Sequence, residues 1–391
     1  MSRLQHPLVE RMASFGTTIF AEMTALAQET GAINLGQGFP DTDGPPEVLE
    51  AAIAAIRAGH NQYPPGPGIP ELRNAIAAHQ KRWYGIDLDP DGEVLVTTGA
   101  TEAIAAALLA LTGPGDEVVT FEPYYDSYAA SIALGGATRR VVTLRAPDYS
   151  FDPDELRAAI GPATKVLLLN SPHNPTGKVF DLDELAVIAG LCIEHDLIAV
   201  TDEVYEHLTF DGVAHVPLAT LPGMAERTLT LSSAGKTFSF TGWKIGWVTG
   251  PAQLVAAVRT VKQFLTYVSG TPFQYAVAVA LGLPDQVTID LAASLQSKRD
   301  RIAVGLREAG FVVHPPKGTY FITADIRGVG GVDGIEFCRE LPHRAGVVGV
   351  PTQVFYDDPE AGRPLVRFAF CKRDEVIDEA VERLTAMGAG S

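Results

Sequence analysis

Cysteine is scarce in this chain. Three occur in 391 residues, Cys192, Cys338 and Cys371, far apart and odd in number. That spacing fits neither a disulfide framework nor a cysteine metal site, so plain thiols in a reducing compartment are expected, and no metal. Long apolar runs are also missing. No stretch reaches the roughly 18 apolar residues of a membrane-crossing helix. The opening MSRLQHPLVERM holds no apolar run that would serve as a signal peptide. A cytoplasmic protein is the expectation. Positive charge is in deficit: 30 Lys and Arg stand against 47 Asp and Glu, a formal net charge of −17. Such a chain repels phosphate backbones and anionic lipid, which makes nucleic acid and membranes poor partners. Repeats, low-complexity tracts and long linkers are absent. The remaining composition, 46% hydrophobic and 20% charged, is that of a globular protein with a large core.

What is present is an alternation of short β-branched runs with Ala/Leu-rich stretches, the pattern of parallel α/β structure. Strands are expected at Val94–Thr98, Glu117–Phe121, Arg139–Thr143, Lys165–Asn170, Leu197–Thr201 and Thr228–Leu231, with Ile245–Thr249 inserted in the same sheet. Helices are expected at Thr101–Leu111, Tyr125–Leu134, Asp154–Ile160 and Leu182–His195. After about Pro284 the texture changes. A charge-rich helix over Gln286–Ala309 leads into short strands at Val312–His314, Tyr320–Thr323, Val347–Val350 and Val366–Phe370, then a helix from near Asp374. The first forty residues have no strand partner nearby and are assigned to this second module. The expected organisation is a large α/β domain over 43–284 and a small α+β domain built from 1–42 and 285–391.

In open α/β sheets ligands bind at the carboxyl ends of the strands, and several polar clusters fall there. Ser232–Lys244 reads SSAGKTFSFTGWK. Its GKT looks like the end of a nucleotide P-loop, but that motif needs a Gly six residues before the Lys, and position 230 is Thr. Most lysines are solvated surface groups. Lys236, after an apolar strand and among Ser, Gly, Phe and Trp, is placed to be desolvated, which lowers a lysine pKa and makes it a nucleophile toward aldehydes. Ser233 and Lys244 add a hydroxyl and a cation for an anion. Asn170–Gly177, NSPHNPTG, is a rigid turn in its plainest reading. Asp202, closing LIAVTD, reads equally as a helix cap, with Tyr205 on the same side if the chain turns helically. Thr98–Glu102, TGATE, opens a helix whose free N–H groups favour a phosphate.

Taken in order, these motifs resemble the fold-type I class I/II aminotransferases dependent on pyridoxal 5′-phosphate (PLP). The likeness runs from NLGQGFPD at Asn34–Asp41 to LVRFAFCKR at Leu365–Arg373. NQYPPGPG, SPHNPTG, TDEVYEHL and TGWKIGW resemble the branch containing kynurenine/glutamine aminotransferases and actinobacterial N-succinyldiaminopimelate aminotransferases. The resemblance implies a PLP-dependent transferase fold of the aspartate aminotransferase type. It implies that Lys236 bonds to the cofactor aldehyde and then shuttles the substrate proton. Asp202 would pair with the pyridine N–H, while Asn174 and Tyr205 would hydrogen-bond the ring oxygen. Tyr125 would stack on the ring, the plainer reading being a core aromatic. Ala100 and Thr101 backbone, Ser233 and Lys244 would hold the phosphate. Tyr63 would reach the phosphate of a neighbouring subunit, implying a homodimer with shared sites. Gly36 and Arg367, with Asn174, would receive the substrate, Arg367 pairing with its α-carboxylate. In related enzymes the bonds matching Glu122–Pro123 and Asn174–Pro175 are often cis, and both are expected cis here.

Two departures bear on substrate. Kynurenine-type members carry an aromatic–His pair where this chain has Ser269 and Gly270, and GTTIFAEM replaces their N-terminal pocket aromatic. Both favour a long or polar substrate over an aromatic one. The expected activity is transfer of an α-amino group from an amino acid, with N-succinyl-LL-2,6-diaminopimelate of lysine biosynthesis the first choice, to 2-oxoglutarate. The rivals are a kynurenine, glutamine or methionine aminotransferase, and a cysteine-conjugate β-lyase. A non-enzymatic regulator would need an attached basic DNA-binding module, which is not seen.

Overall fold

Seven short runs rich in Val, Leu, Ile and Thr pair into one sheet, because most are apolar enough to be buried on both faces, and the polar run Thr138–Thr143, with Arg139 and Arg140, takes an edge. The computed structural model describes residues 8–16 and 18–389. The first seven residues of the N-terminal segment weighed as a signal peptide lie outside them, as does Thr17 of GTTIFAEM. Across the sheet the strands are Val94–Thr97, Gly246–Thr249, Thr228–Ser233, Ile198–Asp202, Thr164–Asn170, Glu117–Glu122 and Thr138–Thr143. All neighbouring pairs are parallel except those made by Gly246–Thr249, which runs antiparallel to both its neighbours. The expected strands are all present, with ends shifted by one or two residues.

Helices pack on the sheet where amphipathic stretches meet good start signals. Asp181 and Glu184 form a reciprocal capping box at the head of Leu182–Glu194. Pro46 and Pro70 stand in the first turn of Pro46–Arg57 and Pro70–Tyr84, where a missing N–H costs nothing. Gly99–Leu111 begins two residues earlier than expected, at Gly99.

A second sheet of four antiparallel strands, Val350–Pro351, Leu365–Ala369, Phe321–Asp325 and Val312–His314, packs under the helices Gln286–Glu308, Gly334–Ala345 and Asp374–Ala389. The expected strand Val347–Val350 is split at Gly349. Its first half, Val347–Val348, instead pairs in parallel with Ile33–Asn34. One apolar core joins Met23, Ala27 and Leu35 to residues between Leu295 and Leu384, and it takes in Val204–Phe210 from the segment after Asp202. Three other clusters lie between Val48 and Leu281. Cys192, Cys338 and Cys371 are free and buried. Among the described residues no single helix is long and apolar enough to cross a membrane.

Candidate active site

The carboxyl ends of three adjacent strands, at Asn170, Asp202 and Ser233, open onto one cavity of about 480 Å³. Asn170 and Asp202 are register partners. Lys236 rides on a single helical turn, Ala234–Thr237, that follows the Thr228–Ser233 strand directly. The antiparallel strand Gly246–Thr249 brings Lys244 back to the same edge.

Each side chain here has a physical setting. Lys236 reaches the cavity with its Nζ 3.4 Å from the Gly38 carbonyl and 5.8 and 5.6 Å from the Tyr205 and Tyr320 ring centres. Desolvation lowers its pKa to about 8. Asp202 is buried, and burial raises its pKa to about 6, against the pull of a 2.6 Å hydrogen bond from the Tyr128 hydroxyl and a longer one from Val204 N–H. Asn170 donates to the Asp202 carbonyl and accepts from Asn174 N–H, so one amide fixes both cavity residues. The turn they bound carries two cis bonds, Ser171–Pro172 and Asn174–Pro175. Glu122–Pro123 is also cis, so both expected cis bonds are present, and Ala146–Pro147 is a further one.

Opposite Lys236, the N-terminus of Gly99–Leu111 points into the cavity with Ala100 and Thr101 in its first turn. Lys244 stands beside it in a left-handed conformation, φ 55°, which is uncommon for a side-chain-bearing residue. Its ammonium lies over Gly99: a Cβ there would come 3.3 Å from Nζ. Gly246 brings the strand so close that a Cβ on it would fall 2.7 Å from the Gly99 carbonyl carbon. Helix N–H groups, a lysine and the Ser233 hydroxyl thus converge as an anion site.

Arg367 is the third anchor. It is 1% exposed. Nη1 donates to Asn174 Oδ1 at 3.0 Å and Nη2 to the Gly36 carbonyl at 2.9 Å, while Nε has no protein partner. Its guanidinium lies 4.0 Å from the Phe321 ring centre. Burial lowers its pKa only to about 10, so it remains a cation at neutral pH.

Ten of the twelve residues expected from sequence line the cavity: Ala100, Thr101, Tyr125, Asn174, Asp202, Tyr205, Ser233, Lys236, Lys244 and Arg367. Gly36 joins through Arg367. Its own N–H already donates to Asn34 Oδ1 at 2.9 Å and its carbonyl accepts from the arginine, so it positions the guanidinium rather than offering an N–H to an anion. Tyr63 is not brought to this cavity; it is 82% exposed and packs edge-on against Tyr267. Asp202 caps no helix, because the residues after it form turns. Ser269 and Gly270 do not line the cavity either: buried Ser269 accepts from Gln274 Nε2, and Gly270 precedes helix Thr271–Leu281. An N-terminal aromatic is present after all, since Phe20 lines the wall with its ring centre 5.1 Å from the Arg367 guanidinium. Missed from sequence were Tyr128, Asn170 and Tyr320, whose hydroxyl donates to Gly38. Tyr128 follows Tyr125 by one helical turn, the only signal that pointed to it.

The profile of the family described as aminotransferase class I and II matches residues 30–384. The chain belongs to the class I and II aminotransferases. It is 54% identical to the probable N-succinyldiaminopimelate aminotransferase DapC of Mycobacterium tuberculosis, over 97% of this chain and 98% of that protein. The solved structure of the M. tuberculosis N-succinyldiaminopimelate aminotransferase superposes with a TM-score of 0.95, covering 97% of this chain and all of that one. The methionine aminotransferase of Escherichia coli is 39% identical over 97% and 98% of the two chains, and the solved E. coli YbdL structure, for which a methionine aminotransferase function is described, gives a TM-score of 0.94. As a PLP-dependent transaminase by family, this aminotransferase has the aspartate aminotransferase-like fold seen in its solved neighbours.

Proposed function

We propose that this aminotransferase takes the α-amino group of N-succinyl-LL-2,6-diaminopimelate and passes it to 2-oxoglutarate. The observation that carries the substrate is the 54% identity to the M. tuberculosis protein over nearly the whole of both chains. The cavity suits PLP on its own chemistry. It offers a desolvated lysine for the aldehyde, a buried carboxylate for the ring nitrogen, and a helix N-terminus with a lysine and a serine for the phosphate. The unpartnered Nε–H of Arg367 leaves donor capacity for a substrate carboxylate.

When bound, the cofactor would supply the electron sink for the pair left on Cα after its proton departs. The chain does the rest. Asp202, held as an acceptor by Tyr128 and Val204, keeps the ring nitrogen protonated. Asn174 and Tyr205 donate to or orient the ring oxygen, and Tyr125 covers one ring face. Arg367, fixed by Asn174 and Gly36, holds the substrate carboxylate so that the Cα–H bond faces Lys236. The lysine, neutral in a useful fraction because its pKa is near 8, would take that proton from Cα and return it across the nitrogen to the cofactor carbon C4′. Tyr63 serves the phosphate of a partner subunit in a cytoplasmic homodimer. We also propose the division into a large domain over 43–284 and a small one over 1–42 and 285–391. Its support is the apolar core that groups Met23, Ala27 and Leu35 with the C-terminal third.

The test is the pair of half-reactions. N-succinyl-LL-2,6-diaminopimelate should convert the PLP form with a kcat/KM at least tenfold above those of kynurenine, phenylalanine and methionine. A tenfold preference for any of these would remove the succinyl substrate and leave the family unaffected. Pyruvate and ammonia formed from a cysteine conjugate without a 2-oxo acid would instead mark a β-lyase. Phe20 on the cavity wall favours one rival, an apolar donor such as methionine, which is why that amino acid belongs in the panel.

A further inference from the structure

Away from the cavity, a second polar cluster lies inside the protein. His79 comes from helix Pro70–Tyr84, and Glu206 and His207 from the turns after Asp202. One ligand-type atom from each lies within 4.8 Å of the other two, and all three residues are buried. His79 Nε2 and His207 Nε2 face each other at 2.7 Å, with their rings nearly perpendicular. Glu206 is oriented from behind by the Ser232 hydroxyl at 2.5 Å and by the Tyr84 hydroxyl, as the outer contacts of a metal-binding carboxylate are. Next to it His215 Nε2 meets Glu203 Oε2 at 2.7 Å. Among the described residues neither Glu203 nor Glu206 has an ion pair with Lys or Arg. Glu203 is thus met by His215, whereas Glu206 is buried with hydroxyl partners alone, an arrangement that a divalent ion would compensate. The His79 Nδ1 and His215 Nδ1 atoms have no protein partner, so the cluster holds more hydrogen-bonding capacity than its neighbours use.

We propose that His79, His207 and Glu206 bind a divalent transition metal of the zinc class, with its fourth position turned to the adjoining cavity of about 430 Å³ that Glu206 and His207 line. Two imidazoles and one carboxylate suit zinc or cobalt, whereas magnesium and calcium call for oxygen ligands throughout. Metal–nitrogen bonds of about 2.1 Å need the two Nε2 atoms roughly 3.3 Å apart. The pair must then open from 2.7 Å by roughly 0.6 Å, and the cavity beside His207 gives it room. The ion would tie Pro70–Tyr84 to the turn that follows Asp202 and carries Tyr205, which makes it a structural brace outside the reaction. Sequence hides the site because 128 positions separate the two histidines.

The test uses the holoenzyme, stripped with a chelator, freed of it, and titrated with Zn²⁺ or Co²⁺ without amino-acid substrate. Elemental analysis after gel filtration should find about one ion per chain. The Co²⁺ form should show visible bands of a low-coordinate site, and thermal unfolding should move up by a few degrees. His79→Gln and His207→Gln should each abolish retention, and Glu206→Gln should weaken it tenfold or more. A wild-type enzyme that retains no metal, or a histidine variant that retains as much as wild type, would overturn the site in favour of two imidazoles sharing a proton. The wild-type titration decides the matter even if a variant fails to fold.

Discussion

A single carboxylate, Asp202, has two opposing pH dependences. Its folded pKa of about 6 stands above the ordinary aspartate value because burial outweighs its hydrogen bonds. The cofactor-free protein therefore holds a proton that the unfolded chain releases. Stability from this group is present at low pH and is lost as pH rises through about 6. Cofactor binding runs the other way, because a protonated pyridine nitrogen needs the ionised carboxylate. PLP affinity should fall as pH drops below about 6, by roughly tenfold per unit, and Asp202→Asn should remove that limb in a fluorescence titration. Lys236 contributes a separate limb near 8, which the Asn variant keeps. Asp202→Ala should cost a hundredfold or more in turnover, on the order of ~3 kcal/mol; a loss of only a few-fold would make Asp202 structural. Lys236→Ala should still bind PLP through its phosphate and ring contacts. It should lack the visible absorbance of the lysine-linked cofactor and should not turn over, and retained activity would contradict its role. These residues were legible in sequence because each directly follows an apolar strand. Tyr128 and Asn170 were not, since their work is done through Asp202 and Asn174, and such contacts leave no pattern in the chain.

At the level of elements, the strands were readable and many helices were not. Apolar runs such as KVLLLN announce a buried parallel strand whatever surrounds them. The helices Ile19–Thr30, Pro46–Arg57, Pro70–Tyr84, Ala252–Lys262, Thr271–Leu281 and Gly334–Ala345 went unassigned. Several lie outside the strand–helix alternation, so their periodicity had no neighbouring strand to frame it. The split of Val347–Val350 was also hidden, because pairing with Ile33–Asn34 depends on a partner at the other end of the chain. One close approach between elements governs the phosphate end of the cavity. Strand Gly246–Thr249 touches the head of Gly99–Leu111 with no space for a Cβ at Gly246. Gly246→Ala should push the two apart, cost about 1–3 kcal/mol of stability and weaken PLP binding. Denaturant midpoints and cofactor titration read both. If neither changes, the contact is not what sets the phosphate cradle.

For the whole molecule, the exposed aromatics carry the expectation of a dimer. Tyr63 and Phe264 are 82% and 81% exposed, and Tyr267, which packs on Tyr63, is 48% exposed. Phe264→Asp should shift sedimentation toward the monomer and reduce activity at low protein concentration. If Tyr63 serves a partner's site, mixing inactive Lys236→Ala with Tyr63→Ala subunits should restore part of the activity in hybrids. An unchanged sedimentation profile in Phe264→Asp would place the contact elsewhere. The parallel pairing of Ile33–Asn34 with Val347–Val348 also sets a timetable for synthesis. Val347 is made 314 residues after Ile33, which at about 5–20 residues per second is roughly 15–60 s on the ribosome. For most of that interval the apolar segment around Met23, Ala27 and Leu35 can meet only Val204–Phe210 from its core, since the other members begin at Leu295. The first end of the nascent chain therefore waits, only partly covered, for a strand made near its last.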